Sequence, residues 1–460
     1  MTTCKRPRIV LAGVSSGVGK TTIVTGLTAL FHAQGLTVQP FKVGPDYIDP
    51  GFHEKAAERP SYNLDTWLTR EERLGAGFAM LSEGADISLI EGVMGLYDGG
   101  GKGVSSTAQI AKLLRAPVVL IINCQSIGTS AAAIAMGYKL YDPEIRFAGV
   151  ILNKLGSAKH EAMIREAMED LDIPVLGALH RDAELKTPER HLGLTPVTEI
   201  ETKDLIRHMR DDAGRWIDTA ALRRIAESAP AIVCEEEAQT RVTEPVRIGV
   251  AQDEAFTFYY PTSLRALESR GAELVPFSPM RDAALPDVDG LVFGGGFPEM
   301  FLKELSGNAS MKAALAKAAG EGMPVYAECG GLMYLCRDIV DFEGARYAMA
   351  GLVPAVCRMQ KKLQRVGYVT AKALRPSVLA DEGAELRGHE FHFSTMEPIA
   401  EDFPWAYCMQ GIRQQEPHRE GYVLRNVTAS YLHMNFDGNP GAADRFVESC
   451  AAYRRGKEGR

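Results

Sequence analysis

The sequence predicts two α/β domains, the first a doubly wound parallel sheet. Three observations carry this. Short, wholly apolar runs alternate with helical patterns through the first half; the run at 9–12 turns directly into a glycine loop ending in Lys20-Thr21 and a helix; and a second series of apolar runs begins at residue 246, after a long gap. Apolar runs without alternation are buried on both faces, as strands of a helix-covered parallel sheet must be.

In chain order, strands are expected at 8–12, 37–42, 87–91, 118–123 and 147–153, with helices at 21–34, 105–114 and 158–171. The stretch from 199 to 244 is charged, helix-prone and poor in strand formers, and reads as a linker region. The second series places strands at 246–252, 274–277, 290–293 and 324–328, with helices at 260–269 and 308–321, and does not repeat the first. The expected division is therefore 1–200 for a phosphate-binding domain, 201–245 for the linker, 246–450 for the second domain and 451–460 for a C-terminal tail.

The 460 residues, 46% hydrophobic and 24% charged, suffice for two cores and match a soluble globular chain. Lys plus Arg number 51 against 59 Asp plus Glu, a net charge of −8 without a basic run, which argues against a nucleic-acid partner. The eight cysteines show no CxxC pair and no regular spacing, so neither a disulfide framework nor a zinc site is expected, and reduced thiols of the cytoplasm are. No apolar stretch reaches the length of a membrane span, and the run at 9–14 is too short for a signal core.

Residues 13–22 read Gly13-Val14-Ser15-Ser16-Gly17-Val18-Gly19-Lys20-Thr21-Thr22. Glycines between strand and helix let backbone N–H groups surround the phosphates of ATP; Lys20 would meet the β- and γ-phosphates and Thr21 would hold Mg²⁺. Gly13 lies one residue further from Gly19-Lys20 than the usual spacing, and this longer loop resembles the dethiobiotin-synthetase type. Three glycines alone also suit a plain strand-to-helix turn; Lys20-Thr21-Thr22 behind them argues for phosphate.

Two further segments, Phe41-Lys42-Val43-Gly44-Pro45-Asp46-Tyr47-Ile48-Asp49-Pro50 and Glu91-Gly92-Val93-Met94-Gly95-Leu96-Tyr97-Asp98-Gly99, each follow a predicted strand. They therefore open onto the carboxyl ends of the sheet, where ligands bind. Glu91 and Asp46 join Thr21 as expected metal ligands, while Lys42, Asp46, Tyr47, Asp49 and Asp98 are candidates for the substrate side. Asp also favours turns, so a plain turn role stays open for Asp46, Asp49 and Asp98. Asn153-Lys154 resembles the base-reading pair of related nucleotide enzymes, and an ordinary strand-end turn is the competing reading.

In the second domain, Pro324-Val325-Tyr326-Ala327-Glu328-Cys329-Gly330-Gly331 is a strand running into a small-residue turn and a helix. That is a nucleophile elbow: the sulfur is presented on a sharp bend, and the helix N-terminus is expected to favour thiolate. His433 is the candidate base, and the backbone of Gly295, Gly296 and Gly330 is the candidate site for the oxyanion of a bound glutamine amide. His389 and His392 lie three apart in a strand-like run, which does not fit the helical spacing of a zinc protease.

Jointly, the segments 13–22, 41–50, 91–99, 294–299, 329–331 and 388–394 resemble the cobyrinate a,c-diamide synthase family over nearly the whole chain. The resemblance implies a dethiobiotin-synthetase-like ATP domain followed by a class I glutamine amidotransferase-like domain. It implies ATP-dependent phosphorylation of the a- and c-acetate carboxylates of a tetrapyrrole polycarboxylate, then displacement by ammonia from L-glutamine. It also implies Mg²⁺, Cys329 as nucleophile and His433 as its activator; a homodimer stays open. Free ammonia would be mostly ammonium at neutral pH, so a passage for it between the domains is expected. In the wider glutaminase class a Glu follows the His by two positions, but Asn435 stands there, which leaves the orienting partner of His433 unassigned. An ATP-driven partition switch shares the loop class, yet usually has another lysine where this chain has Val14-Ser15-Ser16, and lacks the second half. A glutamine-independent ligase would leave Cys329-Gly330-Gly331 without a use, and cobyric acid synthase fits residues 42–49 less well. The same amidations on sirohaem, nickel-sirohydrochlorin or hydrogenobyrinate remain alternatives.

Overall fold

The apolar runs of the first half pair side by side as a seven-stranded, all-parallel sheet. The computed structural model describes residues 2–181, 199–234, 245–413 and 416–458, which fall in two units, Met1–Glu237 and Ala238–Arg460. The first unit runs through β1 (Thr2–Cys4), β2 (Arg8–Gly13), α1 (Lys20–Ala33), β3 (Val38–Val43), α2 (Asp49–Ala57) and β4 (Tyr62–Leu64). It continues with α3 (Glu71–Leu81), β5 (Ile87–Glu91), α4 (Thr107–Leu113), β6 (Val118–Asn123), α5 (Ser130–Tyr141), β7 (Phe147–Leu155), α6 (Ala158–Glu169) and β8 (Val175–His180). The sheet order is β4-β3-β5-β2-β6-β7-β8. Every residue of β2, β3 and β5 is buried, as helices on both faces require. Strand order reverses about β2, so the loops leaving β2 and β5 open into the crevice where such sheets bind ligands.

The stretch read as a linker is largely structured with the first unit. α7 (Glu199–Trp216), α8 (Thr219–Glu227) and β9 (Ile232–Cys234) follow β8, and Ala213, Ile217, Leu222 and Ala226 complete the apolar cluster around Ile9, Leu11 and Ile23. α7 lies so close to α1 that a Cβ on Gly26 would come 2.3 Å from the Met209 carbonyl oxygen. Charge on the outer faces of these helices hid an apolar inner stripe, so the first unit extends past residue 200 and the linker reading is corrected. The acidic run after Cys234 lies outside the described residues. Arg8, fully buried at the start of β2, donates to the carbonyls of Leu114, Arg6 and Pro230, tying this segment down; burial, then Arg146 and Arg115, pull its guanidinium down to about 10. β9 pairs antiparallel with β1, and Cys4 is joined to Cys234 as a disulfide, where reduced thiols were expected; the ribbon brings together cysteines that lie 230 residues apart in sequence.

The second unit begins with β10 (Val246–Ala251), α9 (Pro261–Glu268), β11 (Ala272–Phe277), β12 (Gly290–Phe293), α10 (Leu302–Gly307), α11 (Ala309–Gly320), β13 (Val325–Glu328) and α12 (Gly330–Leu335). Eleven further elements close it: β14 (Cys336–Val340), β15 (Arg346–Ala348), β16 (Val353–Met359), β17 (Arg365–Ala373), β18 (Glu385–His392), β19 (Ser394–Pro398), β20 (Trp405–Gly411), β21 (His418–Leu424), β22 (Val427–Ser430), β23 (His433–Met434) and α13 (Pro440–Glu458). The main sheet, β11-β10-β12-β13-β22-β21-β20-β17-β18-β23, is parallel up to β22 and antiparallel beyond it. A smaller sheet, β15-β14-β16-β19, accompanies it. α13 runs through to Glu458, which corrects the reading of 451–460 as a tail; Cys450 packs so near Gly290 that a Cβ there would meet its sulfur at 2.3 Å. No helix among the described residues is long and apolar enough to cross a membrane.

Candidate functional site

In the first unit the loop between β2 and α1 turns on Gly17 and Gly19, with φ of +76° and +96°, backbone that only glycine adopts without strain. Lys20 begins α1 and folds across the loop, donating through Nζ to the carbonyls of Ser15 at 3.0 Å and Met94 at 2.7 Å. Burial and the neighbouring Lys42 pull its ammonium down to about 8, against the opposing pull of Glu91, Asp49 and Asp98. Thr21 donates from its hydroxyl to Glu91 Oε1 at 2.8 Å; Thr22 is the next residue of the same helix turn. Asn153 Nδ2 donates to the Val18 carbonyl at 2.8 Å, close enough that only glycine fits at position 19, and Lys154 Nζ lies 3.3 Å from the Gly17 carbonyl. Strand end β7 thus braces the phosphate loop.

Lys42, at the end of β3, is the centre of a buried charge cluster. Its Nζ lies 2.6 Å from Asp49 Oδ2, 2.7 Å from Glu91 Oε1 and 3.9 Å from Asp46 Oδ2. Burial works against the ammonium, but Glu91, Asp49 and Asp46 outweigh it and raise the pKa of Lys42. Asp46 Oδ1 also accepts the backbone N–H groups of Ile48 and Asp49, so it shapes the turn before α2; burial, then Asp49, push its carboxyl up to about 6 while Lys42 opposes. Tyr47 sits half-buried in that turn. Asp98 accepts the Gly95 N–H at 3.0 Å, and a Cβ on Gly95 would meet the Val14 carbonyl at 2.9 Å, so the loop after β5 lies against the phosphate loop. Glu91 is fully buried.

In the second unit Cys329 sits between β13 and α12 with φ 45° and ψ −100°. A non-glycine residue there is strained by about 1–3 kcal/mol, a cost that recurs where a side chain must be presented for chemistry. Its N–H donates to the Ser430 carbonyl at 2.8 Å. Around the elbow, glycines allow contacts no side chain permits. A Cβ on Gly330 would come within 3.0 Å of the Gly296 nitrogen, one on Gly331 would strike Phe293 at 2.6 Å, and one on Gly295 would meet His433 Cε1 at 2.8 Å. The structure therefore gathers Cys329, Gly295, Gly296, Gly330 and His433. The thiol differs from expectation: burial raises its pKa, Glu299 and Glu328 add to this, and the Gly330 N–H opposes too weakly to favour thiolate. Glu299 is itself pushed up to about 7 by burial.

His433 is buried on β23, opposite His389 of β18, and the two rings stack at 4.8 Å with planes 12° apart. Its Nδ1 stands 3.6 Å from Glu328 Oε2. Asn435 is engaged elsewhere, donating to Thr262 Oγ1 at 2.9 Å and accepting the Asp437 N–H. His389 Nε2 meets the Tyr260 hydroxyl at 2.7 Å; burial and His433 hold His389 well below the usual imidazole range, so it is neutral. His392 bonds instead to the Ser394 carbonyl and stacks on Tyr431.

Two family models match the chain, one within each unit. Residues 9–194 match the CobQ/CobB/MinD/ParA nucleotide binding domain and residues 247–441 the CobB/CobQ-like glutamine amidotransferase domain. A cobyrinate a,c-diamide synthase of Dehalococcoides mccartyi is 46% identical over 453 residues, covering 96% of this chain and 97% of the relative. The chain belongs to the cobyrinate a,c-diamide synthase family. Another member, from Caldanaerobacter subterraneus, is 43% identical and covers 97% and 98% of the two chains. A hydrogenobyrinate a,c-diamide synthase of Streptomyces coelicolor is 43% identical, covering 96% and 97%. This cobyrinate-synthase family member is a glutamine-dependent amidating ligase with a nucleotide-binding half.

Two residues beside these candidate sites escaped the sequence reading. His53, fully buried on α2, brings Nε2 to 2.7 Å from Glu91 Oε2. Its position four residues after Asp49 puts both on one face of α2, and that spacing was the available signal. Glu328 was read only as part of the strand leading to Cys329, and its proximity to His433 depends on the pairing of β13 with β22, which no local pattern reveals.

Proposed function

We propose that the chain amidates the a- and c-acetate carboxylates of cobyrinate, using ATP and L-glutamine, in cobalamin biosynthesis. What carries this reading is one chain that holds both a strained, buried Cys329 elbow beside His433 and, in its other unit, a phosphate loop backed by the Lys42 cluster. In the glutaminase half, Cys329 Sγ bonds to the side-chain carbonyl carbon of glutamine while its proton passes to His433. The oxyanion is met by backbone N–H groups of Gly296 and Gly330. Collapse breaks the C–N bond, His433 returns the proton to the leaving nitrogen, ammonia departs, and water hydrolyses the thioester to glutamate.

In the ATP half, Lys20 leaves its loop carbonyls for the β- and γ-phosphates, and Lys42 offsets charge where the substrate carboxylate approaches. Thr21 and Glu91 are the protein oxygens that would hold Mg²⁺, which neutralises phosphate charge when bound. They suit it: Thr21 Oγ1 and Glu91 Oε1 lie 2.8 Å apart at the foot of the phosphate loop, and Mg²⁺ commonly takes one or two protein oxygens, with phosphates and water filling the rest. A carboxylate oxygen attacks the γ-phosphorus, ADP leaves, and ammonia displaces phosphate from the acyl phosphate.

The name of the Streptomyces relative favours a second reading, hydrogenobyrinate as substrate. A panel of cobyrinate, hydrogenobyrinate, sirohaem and nickel-sirohydrochlorin with ATP, Mg²⁺ and glutamine, read by product mass, tests both. Diamidation of cobyrinate at the highest kcat/KM is expected; preference for the metal-free ring selects the second reading, and no amidation of either corrin contradicts both.

A further inference from the structure

The glutaminase half contains a carboxylate that the steps above do not use. Glu328 ends β13, one residue before the nucleophile. Its Oε1 accepts the Met434 N–H at 3.2 Å and the Tyr326 hydroxyl, so the group is clamped from two sides. Oε2 then stands 3.6 Å from His433 Nδ1. That separation is too long for a formed hydrogen bond, yet within the slack that ligand-free sites show before substrate tightens them. Asn435, which occupies the position of the usual Glu, is held by Thr262 and Asp437. The stacked His389 fixes the ring plane and, being neutral, supplies no charge to offset an imidazolium.

We infer that Glu328 is the positioning residue for His433, taking the place of the Glu that this chain lacks at 435. Its Oε2 accepts Nδ1–H, which fixes the tautomer in which Nε2 is the unprotonated nitrogen that takes the proton. The Cys329 proton moves to Nε2 as the S–C bond forms, Glu328 faces the imidazolium, and the proton leaves with ammonia. The same carboxylate beside Cys329 disfavours an idle thiolate, so the proton transfer is favourable only when coupled to attack. One residue thus serves both ends of the pair.

The inference rests on the amidotransferase reading above, and its test separates the two. Wild type, Cys329→Ser, Glu328→Gln and Glu328→Asp are compared for glutaminase kcat and KM and for ATP-driven amidation with high ammonia. Glu328→Gln is expected to lower glutaminase kcat about 10²- to 10⁴-fold, as loss of a His-orienting carboxylate does. Glutamine KM should stay within about threefold and ammonia-driven amidation within about twofold. Glu328→Asp, which keeps the charge at shorter reach, should recover at least about tenfold of the lost kcat. Glutaminase intact in Glu328→Gln but abolished in Cys329→Ser overturns the inference alone, as does a loss confined to KM or an equal loss with both nitrogen donors. Absence of any glutaminase in the wild type overturns the amidotransferase reading and the inference with it.

Discussion

At Cys329 the backbone and the charge environment act in opposite directions. A positive φ presents the sulfur on a bend, while burial and the carboxylates of Glu299 and Glu328 keep it protonated at rest. Alkylation of Cys329 in the ligand-free protein by iodoacetamide, followed by peptide mass mapping, should therefore still rise above pH 9. A plateau below pH 8 would show a thiolate already formed. Cys329→Ser should lower glutamine-dependent amidation by at least about 10³-fold and spare amidation with ammonia; equal loss with both donors, measured by product mass, would remove Cys329 from the nitrogen-releasing step. The elbow at Cys329 was legible because a Cys-Gly-Gly turn after an apolar strand has few other uses. Its protonation state was not, since Glu299 reaches it from a different strand end.

Among the elements, the strand ends β2, β3 and β5 bring Lys20, Lys42 and Glu91 to one crevice. Removing a phosphate clamp should cost about 10²- to 10³-fold in turnover, so Lys20→Ala or Glu91→Gln should lose amidation from glutamine and from ammonia alike. Ammonia-driven product in Lys20→Ala would contradict the phosphate-loop role. The strand-to-loop motifs were readable because parallel strands are uniformly apolar and their ligand loops carry residues that such strands do not. By contrast, α7 and α8 read as a charged connection, because their apolar residues form a narrow stripe that is meaningful only against α1 and β2. Gly26 records that contact. Gly26→Val should destabilise the first unit by about 1–3 kcal/mol through overpacking on Met209, seen as a lower urea midpoint; an unchanged midpoint would mean α7 does not press on α1 in solution.

At the scale of the whole molecule, the proposed function has a chain of net charge −8 take a poly-acid substrate beside Asp46, Asp49 and Asp98. Lys42 is already surrounded by carboxylates, so on that proposal Mg²⁺ supplies further positive charge. Ordered binding follows: calorimetric titration should show tight macrocycle binding only with Mg²⁺ and a non-hydrolysable ATP analogue present, and equal affinity without them would contradict it. The two-unit plan was legible from the restart of apolar runs at 246, but the Cys4–Cys234 pairing was not, because spacing carries no information on a ribbon closed across 230 residues. The central claim is that glutamine nitrogen reaches the substrate carboxylates at the expense of ATP. It is tested most directly by mass spectrometry of the product formed from cobyrinate, ATP, Mg²⁺ and [amide-¹⁵N]glutamine in the presence of unlabelled ammonium. The account predicts ¹⁵N in both new amides and no product without ATP; unlabelled amides, or amidation that proceeds without ATP, would contradict it.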